Sequence, residues 1–215
     1  MQRIYSLTIL LTFFCLGCGS TSAADLDESK EPPLEFVVKV GDKSITITEG
    51  ETTQLDGAFT NPMISIAPQL YRVFPYQGIT FKYPRPFTFE ADLADPDRKI
   101  WTLSGNDLKI MYFVLNARLT TGEFANNMID QFGRENCKVT DANAKITLGK
   151  QTLSGTSIHV TLATHKMVMD IYQIPSRGAV TKLLVFQDSL DDTGNRSNEG
   201  RQTLKDMAAS FTVDK

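Results

Sequence analysis

The sequence predicts an α+β domain built on an antiparallel sheet, and three observations predict it. The first is a run of three strands in succession, at residues 156–164, 166–174 and 179–187. Ile158, Val160 and Leu162 alternate there with Ser157, His159 and Thr161, the period of a strand with one buried face. Met167, Met169 and Ile171 keep that alternation, and residues 180–186 are apolar enough to be central. Pro175-Ser-Arg-Gly178 joins the last two strands as a turn in which Gly178 is free to take positive φ. The second is a capped helix at residues 120–133: Thr120 as N-cap and Glu123 three positions on form a capping box. Phe124, Ala125, Met128, Ile129 and Phe132 follow at helical spacing, and Gly133 stops the helix. The third is a closing amphipathic helix at 197–210, carried by Leu204, Met207, Ala208 and Phe211 at its edge.

The N-terminus stands outside this domain. Residues 4–16 form an apolar run behind Arg3, too short for a bilayer span of about twenty residues. The run ends in Cys15-Leu-Gly-Cys18, which resembles a bacterial lipobox, with Cys15 where that motif usually has Leu. The resemblance implies a signal peptide over 1–17 and acyl chains on Cys18 that hold the mature chain to a membrane. The alternative is an ordinary secretory signal cut near Ser22-Ala-Ala24. Residues 18–34 are polar, end in Pro32-Pro33 and read as a flexible tether. Cys137 is then the one cysteine left in the domain and is expected to be buried and inert.

Along the chain, residues 35–68 read as an N-terminal hairpin and loop, and 69–215 as the main domain. Residues 36–40 and 44–48 alternate around Gly41-Asp42, a hairpin that either adds an edge to the main sheet or packs as an appendage. Residues 49–68, with Gly50, Gly57, Asn61-Pro62 and Pro68, read as loop. Gly78-Ile-Thr-Phe-Lys-Tyr-Pro84 is a strand with Ile79, Phe81 and Tyr83 on one face, continued past a kink by Phe87-Thr-Phe89. Residues 92–99 are a charged turn around Pro96, and 100–103 pairs with 108–115 across Ser104-Gly-Asn-Asp107. Short strands at 136–139 and 145–148 lead through Gly149 to the central three.

The order of these elements resembles the PsbP-like and DcrB-like proteins. The resemblance rests on Gly78-Ile-Thr-Phe-Lys-Tyr-Pro84, the capped helix at 120–133, the turn Ile146-Thr-Leu-Gly149, and the closing Leu204-Lys-Asp-Met-Ala-Ala-Ser-Phe211. It covers residues 70–213 and implies a sheet with helices packed on both faces. It also implies a non-catalytic role and supplies no catalytic residues.

Charge and motifs narrow the function classes. A net charge of −3 with no dense basic run gives no reason to expect nucleic acid. Glycine-rich phosphate loops, Gly-x-Ser-x-Gly and His-Glu-x-x-His are absent from the sequence. His159 and His165 on one strand would lie roughly 20 Å apart, too far to share a metal. Asp188, Asp191, Asp192 and Asn195 around Gly194 gather oxygen ligands, but a solvated loop ahead of a helix suits them better than a Ca²⁺ site. Tyr71, Phe74, Tyr76, Phe81, Tyr83, Phe87 and Phe89 read as core, with Tyr76 and Phe87 beside prolines as the two expected at the surface. The expectation is a lipoprotein of the bacterial envelope, without cofactor or metal, that binds or assembles with another envelope protein. A small-molecule or metal-ion carrier with a cleft between sheet and helix is the alternative, and a hydrolase the third.

Overall fold

The computed structural model describes residues 27–214, so Cys18 and the leader lie outside the described residues. The predicted hairpin is formed by β1 (Glu35–Val40) and β2 (Lys43–Thr48), with Gly41 at φ +59° in its turn. β3 (Ile64–Pro68) pairs with β1, and the three make a separate sheet in the order β2-β1-β3. The hairpin is thus an appendage, and part of the stretch expected to be loop is a strand.

The aromatic segment folds as two strands. β4 (Tyr71–Phe74) and β5 (Ile79–Pro84) form a hairpin whose turn carries Gln77 and Gly78 in the left-handed region. Residues 87–89 do not prolong β5. Phe87 turns the chain into β6 (Thr88–Asp95), which pairs with β7 (Arg98–Ser104) across Pro96, and β7 pairs with β8 (Leu108–Leu115).

The helix α1 (Thr121–Phe132) has the expected N-cap: Thr120 accepts from the Glu123 amide, and Glu123 accepts from the Thr120 amide in return. The two short strands foreseen near 136–148 are one twelve-residue strand, β9 (Cys137–Leu148). β10 (Gln151–Leu162), β11 (His165–Ile174) and β12 (Thr181–Ser189) are the predicted meander, with Gly178 at φ +73° in the turn before β12. Ser197 caps α2 (Asn198–Ser210), and β13 (Thr212–Val213) returns to pair with β5.

The expected α+β fold with helices on both faces is overturned. The described residues are 52% strand and 15% helical, with two α-helices and three sheets among them. The seven-stranded sheet runs β6-β7-β8-β12-β11-β10-β9, every pair antiparallel. On one face, α1 places Phe124, Ala125 and Ile129 against Ile158, Met169, Leu183 and Val185. On the other, where a helix layer was expected, the third sheet (β13-β5-β4) packs its aromatic side chains on the large sheet. Phe74, Phe81 and Tyr83 meet Trp101, Tyr112 and Phe186 there, and α2 seals the rim with Met207 beside Phe211. The physical reason is the aromatic hairpin. Its Phe74, Phe81 and Tyr83 are bulky enough to cover that side of the large sheet, and they occupy the layer where a helix was expected. Tyr76 and Phe87, expected at the surface, belong to this core at 3% and 4% exposure.

Two substitutions test this layering. Phe186→Ala should lower unfolding stability by about 3–5 kcal/mol through the cavity it opens, read by urea denaturation. Gly149→Ala places a Cβ 2.1 Å from the Phe211 carbonyl oxygen at a φ of +56°. It should therefore lower the urea midpoint by prising the end of α2 from the turn between β9 and β10.

Candidate functional site

The β2-β1-β3 sheet has one apolar face. Residues directly opposite across a ladder share a face, and the registers place Ile45, Val38 and Ile66 in one row and Ile47, Phe36 and Pro68 in the next. Val38 and Val40 in the middle strand are buried, yet Ile64 and Ile66 on β3 are 62% and 64% exposed. Met63 and Leu70, at either end of β3, are 87% and 73% exposed. β3 is also an edge strand, so exposed aliphatic side chains and an open hydrogen-bonding edge lie on one element. Sequence reasoning missed this patch because glycine, proline and asparagine around residues 50–68 signalled loop.

Ahead of β1, residues 27–33, within the stretch read as a tether, lie against the main body as a strap. The Trp101 indole donates to the Glu28 carbonyl oxygen at 2.8 Å, and the Tyr76 hydroxyl donates to that of Lys30 at 2.6 Å. The Glu28 carboxylate accepts from Lys99 Nζ at 2.9 Å and from Gln77 Nε2 at 2.5 Å. Arg72 donates to the Pro32 carbonyl oxygen and pairs with Glu31 at 3.0 Å. Main-chain carbonyls and acidic side chains make the attachment, so a composition too polar to form a core does not keep this part of the segment free.

Beside the strap, the ends of β7, β8 and β12 and the turn before β5 enclose an open cleft of about 750 Å³. Lys99, Arg177, Lys182 and Asp214 are its charged lining, with Val114 and Val180 among its apolar walls. Lys182 Nζ donates to the Gln77 carbonyl oxygen at 2.7 Å, and the Tyr112 hydroxyl donates to the same oxygen at 3.1 Å.

The residues singled out from sequence do not converge. His159 and His165 are exposed and stand on different strands, β10 and β11. Asp191 bonds within its own turn, to Thr193 and Asn195, and those bonds hold its carboxyl down at about 2. Among the described residues, no three His, Cys, Asp or Glu side chains are grouped to hold a metal ion. Cys137 is half-buried rather than buried, and burial together with Glu135 pushes its thiol up, away from the reactive form.

Asp188 is not part of that loop cluster. It is fully buried beneath the N-terminus of α2, accepting from the Ser197 hydroxyl at 2.6 Å. Arg196 pairs with buried Asp170 and reaches toward Asp188 at 4.0 Å, while Ser157 donates to Asp170 at 2.5 Å. This network is a fastening: it ties the loop after β12 and the start of α2 to β10 and β11. Gly200 is part of it, since a Cβ there would stand 2.2 Å from Asp188 Oδ2.

No family model matches the chain, and no curated protein matches it.

Glu28→Ala should loosen the strap and raise the rate of tryptic cleavage after Lys30 severalfold, followed by mass spectrometry. An unchanged rate would show that the carbonyl bonds alone hold the segment. Burial raises the Asp188 pKa from 3.8, opposed in part by Ser197 and Arg196. Just above pH 3.8 the folded state therefore keeps a proton that the unfolded chain has released. That contribution is fully present below the unfolded value and is lost as pH rises through the folded one. In thermal unfolding from pH about 4 to about 7, Asp188→Asn should gain on the wild type as pH rises.

Proposed function

We propose that this chain is a non-catalytic binding or assembly module of the bacterial envelope, attached to a membrane through acyl chains on Cys18. Its partner is another envelope protein that presents an extended segment to β3. The observation that carries this reading is the edge strand itself. Ile64 and Ile66 supply apolar contact, and the free edge supplies backbone donors and acceptors, the combination used when a peptide adds a strand to a sheet. A site built this way needs no cofactor and no reactive side chain. Acylation of Cys18 would supply the membrane attachment.

A photo-crosslinking residue at position 63, which is 87% exposed beside β3, should give one discrete adduct with an envelope protein in cells. Ile64→Asp together with Ile66→Asp should remove it without changing the amount of folded protein. Adducts with lipid alone, with a second copy of this chain, or with nothing would overturn the reading. The anchor is tested separately: Cys18→Ala should leave the protein without lipid and move it from the membrane fraction to the soluble one.

A further inference from the structure

We infer that the cleft beside the strap is a binding site for the phosphate group of a small organic molecule, either a free phosphate ester or a phospholipid headgroup. This goes beyond the partner surface on β3 and involves none of its residues. The charges in the cleft run against those of the chain. The whole protein has 25 acidic and 22 basic residues, yet the cleft gathers Lys99, Arg177 and Lys182 against the single carboxylate of Asp214. A concave site with one dominant sign concentrates ions of the other.

Part of the cleft already holds an anion. Lys99 and Gln77 together grip the Glu28 carboxylate through an ammonium and an amide. Arg177 and Lys182 take part in none of the ion pairs among the described residues. Lys182 is nevertheless held in place. Gln77 adopts φ +51°, which few residues with a Cβ tolerate, and its carbonyl oxygen accepts from Lys182 at 2.7 Å. One of the three ammonium donors is used there, which leaves two for a ligand.

The chemistry of these groups selects the ligand class. A phosphate carries up to two negative charges, matching an ammonium and a guanidinium that can donate two parallel hydrogen bonds. The volume of about 750 Å³ exceeds what a bare ion needs. Val114 and Val180 offer apolar wall to the carbon skeleton behind the phosphate.

The chain has one tryptophan, Trp101, and its indole bonds to Glu28, so its fluorescence reports events at the cleft. The full chain is titrated with glycerol 3-phosphate and, separately, with short-chain phosphatidylglycerol below its micellar concentration. Sodium chloride at equal ionic strength serves as the reference, and calorimetry on the same samples captures any event that leaves the fluorescence unchanged. Saturable binding beyond the chloride reference is expected. Arg177→Ala and Lys182→Ala should each weaken it on the order of tenfold, and Asp214→Asn should tighten it severalfold. Saturation by glycerol 3-phosphate alone assigns the site to free esters, and tighter binding of the lipid assigns it to headgroups. A response no larger than that to chloride, or one insensitive to both Arg177→Ala and Lys182→Ala, would overturn the inference. The Ile64→Asp, Ile66→Asp protein should bind like wild type, so failure here is distinguishable from failure of the partner reading.

Discussion

Burial of the central strands on both faces is the constraint from which the rest of the molecule follows. In β12, Leu183 and Val185 point toward α1 while Leu184 and Phe186 point toward the aromatic sheet, and all four are fully buried. A strand buried this way leaves no face for water, so both sides of the large sheet must be covered. The chain supplies one helix for the first side. For the second it supplies a β-hairpin rich in Phe and Tyr, closed by α2 and by β13. The network of buried Asp170 and Asp188 with half-buried Arg196 lies at the margin of that second layer and fixes where α2 begins.

Local signals were legible where one short stretch carries its own chemistry. The Thr120 and Glu123 capping box, the alternation in the meander, the Gly41-Asp42 turn and the Ser197 start of the last helix are decided by residues within a few positions of one another. What could not be read depends on partners far along the chain. Residues 78–89 read as one kinked strand, and its partner at 71–74 went unread because Gln77, a residue with no preference for left-handed φ, makes the turn between β4 and β5. Splitting that segment into a hairpin creates the extra sheet and removes the need for a second helical layer. The arrangement implied by the PsbP-like resemblance failed at this point. β13 has two residues, too few for any alternation to show.

The candidate sites follow the same division. The cations of the cleft come from β7, from the turn before β12 and from β12 itself, so no spacing in the sequence could announce them. The exposure of Ile64 and Ile66 was hidden for a different reason. Turn-forming residues around them outweighed a five-residue strand whose pairing with β1 is set by tertiary structure. Tyr76 and Phe87 stand beside prolines, which suggested surface. Tyr76 is buried because the strap bonds to its hydroxyl and Phe89 of β6 packs on its ring, and Phe87 because its ring lies against Gly105 in the turn between β7 and β8.

The strap, with the anchor proposed at Cys18, would also limit how far the domain can wander. With Cys18 as the proposed anchor and Glu28 clamped to Lys99 and Gln77, the lipid and a fixed point on the body would stand only ten Cα–Cα steps apart, a reach of about 33–36 Å when fully extended. A leash that short would turn a search through a volume into a search across a thin layer. Anything displayed on the domain would then meet membrane-bound targets at a local concentration on the order of millimolar. Under these conditions a modest contact at β3 would suffice for stable association, and weak intrinsic affinity would be an advantage because exchange between targets stays fast.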